Sequence, residues 1–296
     1  MFDLNFYMKE KQRLINAELA RFLDNQDFHP TLLVQSMRYC LEAGGKRLRP
    51  ILCIAASEVV GGSELDAIGT ALALELIHTY SLIHDDLPAM DDDDFRRGKP
   101  TCHKAFDEAT AILAGDALLT AAFEVLTTGA YSSINASRCL KVISVIARAA
   151  GSSGMVQGQM MDLAFEGKRI TWEKLATLQN LKTGALIEAS VKTGAILGGG
   201  SDEQVAALSA YGAHVGLAFQ IADDILNVEG NSDVLGKPVG NDEAAQKATA
   251  ISVLGLKDAK LHADRLIDSA LEELRIFGKL GEPFAALAQY IIERTK

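Results

Sequence analysis

The sequence predicts an all-α protein, one domain of about ten helices spanning residues 1–296. Three observations predict it. Apolar residues recur at helical spacing over 65–86, 107–128, 135–150, 183–198, 202–228 and 256–277. Alternating strand patterns are scarce, and aromatic residues make up only 6% of the chain. Pro30, Pro50, Pro100, Pro238 and Pro283 fall where helical patterns start or stop.

The elements follow in order. Gly44-Gly45 and Gly61-Gly62 mark turns. Between 65 and 86, Leu65, Ile68, Ala71, Leu72, Leu74, Leu76, Ile77, Leu82 and Ile83 spread around nearly the whole helix. A helix apolar on all sides is buried centrally. Pro88 ends or kinks that helix. Gly198-Gly199-Gly200 is a further turn, and 230–246 is the longest polar, glycine-containing stretch. A loop of that length in a folded domain is often functional. No linker, repeat or low-complexity run divides the chain.

Bulk composition excludes some classes. The net charge is −10 and the pI about 5.1, a poor match to nucleic acid. Anionic ligands remain open to such a chain where cations or metal ions are concentrated locally. Cys40, Cys53, Cys102 and Cys139 have no short paired spacing, so neither a zinc site nor a disulfide framework is expected, and a reduced, cytoplasmic setting fits. The N-terminal MFDLNFYMKEKQRL has no apolar signal core, and no membrane-spanning segment is expected.

Two acid clusters carry chemistry. HDDLPAMDDDD places Asp85, Asp86, Asp91, Asp92, Asp93 and Asp94 within ten residues at the end of the apolar 65–86 helix. LAFQIADDILNV ends a second apolar helix with Asp223 and Asp224, and Asn227 lies one turn beyond Asp223 on the same face. Close carboxylates raise one another's pKa, and a hard divalent cation relieves the repulsion. Magnesium takes one or two carboxylates, waters and phosphate oxygens. One such cluster alone is an ordinary solvated helix end; two closing long apolar helices point to metal held between them.

Basic partners accompany them. GGKRLRP joins Lys46, Arg47 and Arg49 to a diglycine, suited to close backbone approach and bidentate phosphate contacts. Arg96 and Arg97 follow the aspartate run. Lys182 precedes a helix start at Thr183-Gly184, and Lys237 and Lys247 lie in or beside the polar loop. His78 sits two turns before Asp85 on one face, where a core histidine is the ordinary reading.

In this order the pieces resemble the short-chain trans-isoprenyl diphosphate synthases, and among them the bacterial farnesyl diphosphate synthases. The matching strings are GGKRLRP (44–50), IHTYSLIHDDLPAMDDDDFRRGKPTCH (77–103), ILAGDALL (112–119), GMVQGQMMDL (154–163), KTGALIEA (182–189), GLAFQIADDILNVEG (216–230), LGKPVGND (235–242) and YIIERTK (290–296). The resemblance implies a bundle of about ten or more helices around a deep central cavity, the type I isoprenoid synthase fold, working as a homodimer. It implies Asp85, Asp86 and Asp91 on one side, and Asp223 and Asp224 on the other, as ligands of two or three Mg²⁺ ions, with Mn²⁺ as the alternative. Arg96, Lys182, Thr183, Gln220, Lys237 and Lys247 would serve the allylic diphosphate. Gly45, Lys46, Arg49, His78 and Arg97 would bind isopentenyl diphosphate; Arg47 belongs to the same string, and Arg294 and Lys296 match a basic tail.

The implied reaction joins isopentenyl diphosphate head to tail to dimethylallyl and then geranyl diphosphate. Lys182, Thr183 and Gln220 are expected to turn dipoles toward the allylic cation, and 230–246 to form part of a lid that excludes water. In the family, product length is set about one turn before the first acid motif, here at Tyr80 and Ser81. The bulk of Tyr80 and the Pro88-Ala89 insertion point to a fifteen-carbon product over geranylgeranyl or geranyl. Two departures are visible: the second motif ends in Asn227, and Ala248-Thr249-Ala250 replaces a Thr-Tyr-Pro pattern, which predicts a looser helix start there. A terpene cyclase is the rival enzyme, but its second-motif offsets fall here on Asn227 and Asn231. An inactive partner subunit of a prenyl synthase is the rival without catalysis, supported only by Asn227.

Overall fold

Helix α4 (Glu64–Asp85) is the axis about which the rest is arranged. The structure, a computed structural model, describes residues 2–24, 31–128, 136–229 and 247–293. A reciprocal capping box starts α4. The Ser63 side chain accepts from the Asp66 amide while Asp66 accepts from Ser63 N at 2.8 Å. Leu74, Leu76, Ile77 and Ala73 are fully buried, so apolar residues face inward all round, as the sequence predicts.

Before it come α1 (Leu4–Asp24), α2 (Leu32–Leu41) and α3 (Leu48–Val59). After it comes a hairpin of β1 (Phe95–Arg96) and β2 (Lys99–Pro100), with Arg96 opposite Lys99. Then follow α5 (Cys102–Ala105), α6 (Glu108–Thr128), α7 (Ala136–Ala150), α8 (Met155–Phe165) and α9 (Trp172–Gln179). A five-residue π turn, Asn180–Gly184, joins α9 to α10 (Ala185–Leu197). The rest is α11 (Asp202–Glu229), α12 (Ala250–Leu254), α13 (Leu256–Glu273), a 3₁₀ turn (Leu274–Gly281) and α14 (Glu282–Glu293). α4 packs against α1, α2, α3, α6 and α10, and α11 packs against α10, α13 and α14. One large apolar core results, and a smaller cluster around Ile221, Ala250, Ala259 and Ala263 ties α12 and α13 to α11.

Several expectations need correcting. Thr183-Gly184 does not start a helix: α9 runs through the π turn into α10 without a break. α11 runs from Asp202 to Glu229, as the periodicity over 202–228 predicts, so that Asp223 and Asp224 lie in its last two turns. The 256–277 stretch stops as α-helix at Glu273, and the 3₁₀ turn that follows contains Gly278 at φ 53°. Thr249 gives α12 a firm start, because its hydroxyl accepts from Ser252 N at 3.1 Å while Ser252 Oγ accepts from Thr249 N at 2.9 Å. The looser start predicted from Ala248-Thr249-Ala250 is therefore not found. By length and composition, Glu108–Thr127, Ala136–Phe165 and Asp202–Glu229 are apolar enough to cross a membrane, against the expectation of no such segment; the last contains 204–222, which carries no Asp, Glu, Lys or Arg. In the bundle, α6 spends that character on Ala111, Ala114, Leu118 and Leu126, and α11 on Val215, Ala218 and Ile221, all of them in buried contact.

The start of α3 is anchored by a buried ion pair. Arg47 has left-handed backbone at φ 51°. Its Nη1 meets Glu75 Oε1 on α4 at 2.5 Å, with the side chains 3% and 1% exposed. Its Nη2 donates to Leu41 O at 2.6 Å and its Nε to Asn16 Oδ1 at 3.0 Å. Four helices thus meet on one guanidinium, whose donors are taken up by structure. Removing one partner from such a pair leaves a bare buried charge, at a cost of about 3–5 kcal/mol. Arg47→Met is expected to destabilise the fold by that amount, read from denaturant midpoints; a midpoint equal to that of the parent protein would refute the role given to the pair.

Candidate active site

One cavity of 980 Å³ opens at the ends of these helices. Its walls include Gly45, Lys46, Arg49, His78, Tyr80, Ser81, Asp85, Arg96, Arg97, Lys182, Thr183, Gln220 and Asp223. Segments separated by up to 178 residues in sequence, Gly45 to Asp223, are thereby brought to one space. Its size suits a small-molecule site.

The first Asp of each acid motif faces the cavity and the second holds structure. Asp85 closes α4 and lines the wall. Asp86 is 3% exposed, and both its oxygens accept from Arg96 Nε, at 2.7 and 2.8 Å. Asp86, which the sequence reading makes a metal ligand, directs both carboxylate oxygens to Arg96 in this structure. Across the cavity Asp223 lines the wall, whereas Asp224 Oδ2 accepts from Gln179 Nε2 at 3.0 Å and from Ala250 N at 2.7 Å. Asp224 therefore ties α11 to α9 and to the first residue of α12, away from the cavity wall.

Carboxylates and lysines alternate around Asp85. Lys182 Nζ lies 2.6 Å from Asp162 and 3.9 Å from Asp85, and Gln159 Nε2 donates to Asp85 Oδ1. Lys247 Nζ meets Asp91 at 2.8 Å. Burial, with the Asp91 charge adding to it, pushes the Asp85 carboxyl up, and the Lys182 amine only partly offsets this. That is the strain a divalent cation relieves. Among the described residues no group of three His, Cys, Asp or Glu side chains could hold a metal ion by itself. The set still fits Mg²⁺, which takes few carboxylates and completes its shell with water and phosphate. Asp85 and Asp223 line the cavity, and Asp91 stands near enough to Asp85 to raise its pKa.

A second pole is basic. The hairpin turn puts both Arg97 (φ 54°) and Gly98 (φ 75°) in the left-handed region, as a two-residue hairpin loop requires. This throws the Arg97 side chain back onto Gly44, whose carbonyl accepts from its Nη1. Gly45 has φ 129°, and a Cβ there would lie 2.7 Å from the Arg97 guanidinium carbon. Only glycine fits. Arg49 is pushed down to about 10 by burial, and its Nε is buried with no hydrogen-bond partner. The His78 imidazole is held well below 6.5 by burial and by the charges of Arg49 and Arg97. Lys46 Nζ sits 5.5 Å from the Tyr290 ring centre. Several cations crowd one buried corner with Glu75 as the nearby carboxylate, an arrangement that favours a polyanion.

The remaining wall is apolar and rich in methionine: Met8, Met90, Met155, Met160, Leu163 and Phe219. At its side Tyr80 is 6% exposed and meets His84 edge-on, ring centres 5.7 Å apart. His84 Nε2 reaches Ile112 O on α6 at 3.0 Å. The Ser81 hydroxyl turns into its own helix, donating to His78 O at 2.8 Å. Lys237, Arg294, Lys296 and the lid assigned to 230–246 lie outside the described residues. Gln159, Asp162, Tyr290 and Phe219 received no role from the sequence. For the first two a signal exists: two polar residues three apart on the otherwise apolar face of MVQGQMMDL.

Comparison with known proteins completes the picture. The model of the polyprenyl synthetase family matches residues 30–275. A dimethylallyltranstransferase of Fischerella ambigua is 47% identical over 99% of this chain and 84% of its own length. A geranylgeranyl diphosphate synthase of Cyanophora paradoxa is 44% identical over 99% and 97%. A farnesyl diphosphate synthase of Geobacillus stearothermophilus is 43% identical over 97% of each chain. The solved geranyltransferase of Helicobacter pylori, complexed with magnesium and isoprenyl diphosphate, superposes with a TM-score of 0.85 at 34% identity over 98% of this chain and 97% of its own.

The raised Asp85 carboxyl makes a signed prediction. Its folded pKa lies above the unfolded value of 3.8, so its charge opposes folding at neutral pH and ceases to do so as pH falls through the raised value. Asp85→Asn is expected to raise the metal-free thermal midpoint at pH 7 by about 1–3 °C. The gain should shrink under acid, while metal-dependent turnover falls by at least about 10³-fold. A lowered midpoint at pH 7 would show that the lysines need Asp85 more than burial penalises it.

Proposed function

The chain belongs to the polyprenyl synthetase family, and from that premise we propose that it makes farnesyl diphosphate, condensing isopentenyl diphosphate with dimethylallyl and then geranyl diphosphate. It is a prenyltransferase. The observation that carries the reading is one cavity with a carboxylate-lined pole at Asp85 and Asp223 and a separate cationic pole at Lys46, Arg49 and Arg97 beside the neutral His78. Two charged poles suit two diphosphates, one metal-bound and one held by side chains alone. A terpene cyclase, with a single diphosphate to bind, has no use for the second pole.

Each residue's part follows from its place. Lys46, Arg49, Arg97 and neutral His78 hold the isopentenyl diphosphate and so aim its double bond along the cavity. Lys182, at the other pole, stands beside Asp85 and meets the allylic diphosphate, with Lys247 next to it on Asp91. Arg96 keeps its guanidinium directed by Asp86. Mg²⁺ in Asp85, Asp91 and Asp223, or Mn²⁺ in its stead, supplies charge for the departing pyrophosphate when bound. As the C–O bond breaks, Thr183 and Gln220 lie on the wall where the allylic cation develops, and can turn oxygen dipoles toward it. The methionine-rich wall excludes water from the cation. The isopentenyl π electrons form the new C–C bond, and the leaving pyrophosphate takes the proton released from the adjacent carbon. Lys237 and the 230–246 segment belong to the same reading as further cation and lid. The chain acts as one helical domain, in the cytoplasm, as a homodimer.

Product length follows from Tyr80. Wedged between the cavity and His84, it limits the growing tail more than Ser81 does, since the Ser81 hydroxyl is folded against its own helix. Incubation with Mg²⁺, labelled isopentenyl diphosphate and dimethylallyl diphosphate, followed by dephosphorylation, is expected to give mainly farnesol. Tyr80→Ala should shift the product toward twenty carbons by about tenfold in ratio. Geranylgeraniol from the parent protein would sink the chain-length reading, and failure of the folded, metal-replete protein to condense either starter would sink the enzyme reading.

A further inference from the structure

The π turn Asn180–Gly184 is gripped from two sides by bare glycine backbone. On α8, a Cβ at Gly158 would lie 2.5 Å from Lys182 Cα and 2.8 Å from the Leu181 carbonyl carbon. On α11, a Cβ at Gly216 would lie 2.8 Å from Gly184 Cα. In both places the obstacle is backbone, which cannot rotate aside as a side-chain end can. A π turn carries one residue more than the α-helix beside it, has poorer hydrogen bonding, and persists where its surroundings hold it. Here it decides which way Lys182 and Thr183 point, because the extra residue rotates them relative to α9.

The same α8 face holds the Lys182 side chain. Gly158 and Asp162 are one turn apart, and Asp162 Oδ2 meets Lys182 Nζ at 2.6 Å. Backbone and amine of one lysine are therefore located by one helix. We infer that Gly158 and Gly216 are positioning residues that fix the π turn, so that Lys182 and Thr183 stand at the diphosphate pole of the cavity. This rests on the prenyltransferase reading for its kinetic consequence, but not for its effect on anion binding.

Gly212 supplies the control. It lies one turn before Gly216 on α11, and a Cβ there would also sit 2.8 Å from a backbone Cα, that of Glu188 on α10. Like Gly158 and Gly216 it is absent from the cavity wall, but unlike them it meets α10 and not the π turn. The full-length variants G158A, G216A and G212A are compared with the parent protein by thermal melting, steady-state kinetics, and calorimetric binding of inorganic pyrophosphate with Mg²⁺. G158A and G216A are expected to lower kcat at least tenfold with KM for isopentenyl diphosphate within twofold, and to weaken pyrophosphate at least fivefold. G212A is expected to lower the thermal midpoint as G216A does, yet to leave kcat and pyrophosphate affinity within twofold. Equal losses in G212A and G216A, or unchanged pyrophosphate affinity in G216A, would overturn the inference and leave plain helix packing. Should G158A fail to fold, the G216A and G212A pair decides. A parent protein that binds Mg²⁺–pyrophosphate without making product would refute the proposed function, while the calorimetry still judged the clamp.

Discussion

The two-oxygen link between Asp86 and Arg96 is the contact on which the site depends. It joins the C-terminal end of α4 to the hairpin 95–100, which Arg97 on the Gly44 carbonyl and Tyr39 on the Pro100 carbonyl also fasten to the bundle. Its burial makes it costly to break, since either partner alone would be an unpaired charge in a poorly solvated place. With the hairpin tied there, the left-handed Arg97–Gly98 turn directs Arg97 over Gly44 and Gly45. With α4 tied there, Asp85 is left facing the cavity. One ion pair therefore sets the spacing between the carboxylate pole and the cationic pole.

The electrostatics of the two poles are opposite in sign and alike in logic. At one, Asp85 is raised by burial and by Asp91; at the other, Arg49, Arg97 and His78 are lowered by burial and by neighbouring arginines. At each pole burial disfavours the charged form of a group that faces the cavity, at the expense of stability in the free protein. Each is relieved by a ligand of the opposite sign, and a metal-bound diphosphate with a second diphosphate supplies both. A chain of net charge −10 thus binds two polyanions because the distribution of charge, rather than its sum, governs a buried site.

Close backbone contact is the other organising device. Gly45, Gly158 and Gly216 each stand where a Cβ would strike a residue of the site: Arg97, Lys182 and Gly184. Small residues let α8 and α11 approach the π turn, and the turn presents Lys182 and Thr183. The methionines of the apolar wall, Met155 and Met160 on α8 among them, are flexible and unbranched, suited to an apolar tail that changes length during the reaction.

Much of this was legible in the residues themselves. The apolar periodicity of 65–86 and 202–228 located α4 and α11, because a buried helix must be apolar all round wherever it packs. The charge of HDDLPAMDDDD, ADDILN and GGKRLRP located both poles, because like charges are brought together only for a ligand. Composition could not separate Asp85 from Asp86, or Asp223 from Asp224: neighbouring residues on a helix point about 100° apart, and which one meets the cavity is decided by the elements around it. Nor could it read the π turn: Thr183-Gly184 signals a helix start by itself, and the close contacts of Gly158 and Gly216 with that backbone exist only in the folded bundle. Arg47 shows the same division. Its charge marked it as a ligand-binding cation, and three-dimensional packing gave its donors to Asn16, Leu41 and Glu75. Residue chemistry and spacing determined the fold class and the kind of ligand. The role of each group among similar neighbours was decided by tertiary contact, because direction and desolvation are properties of the assembled bundle and not of the chain.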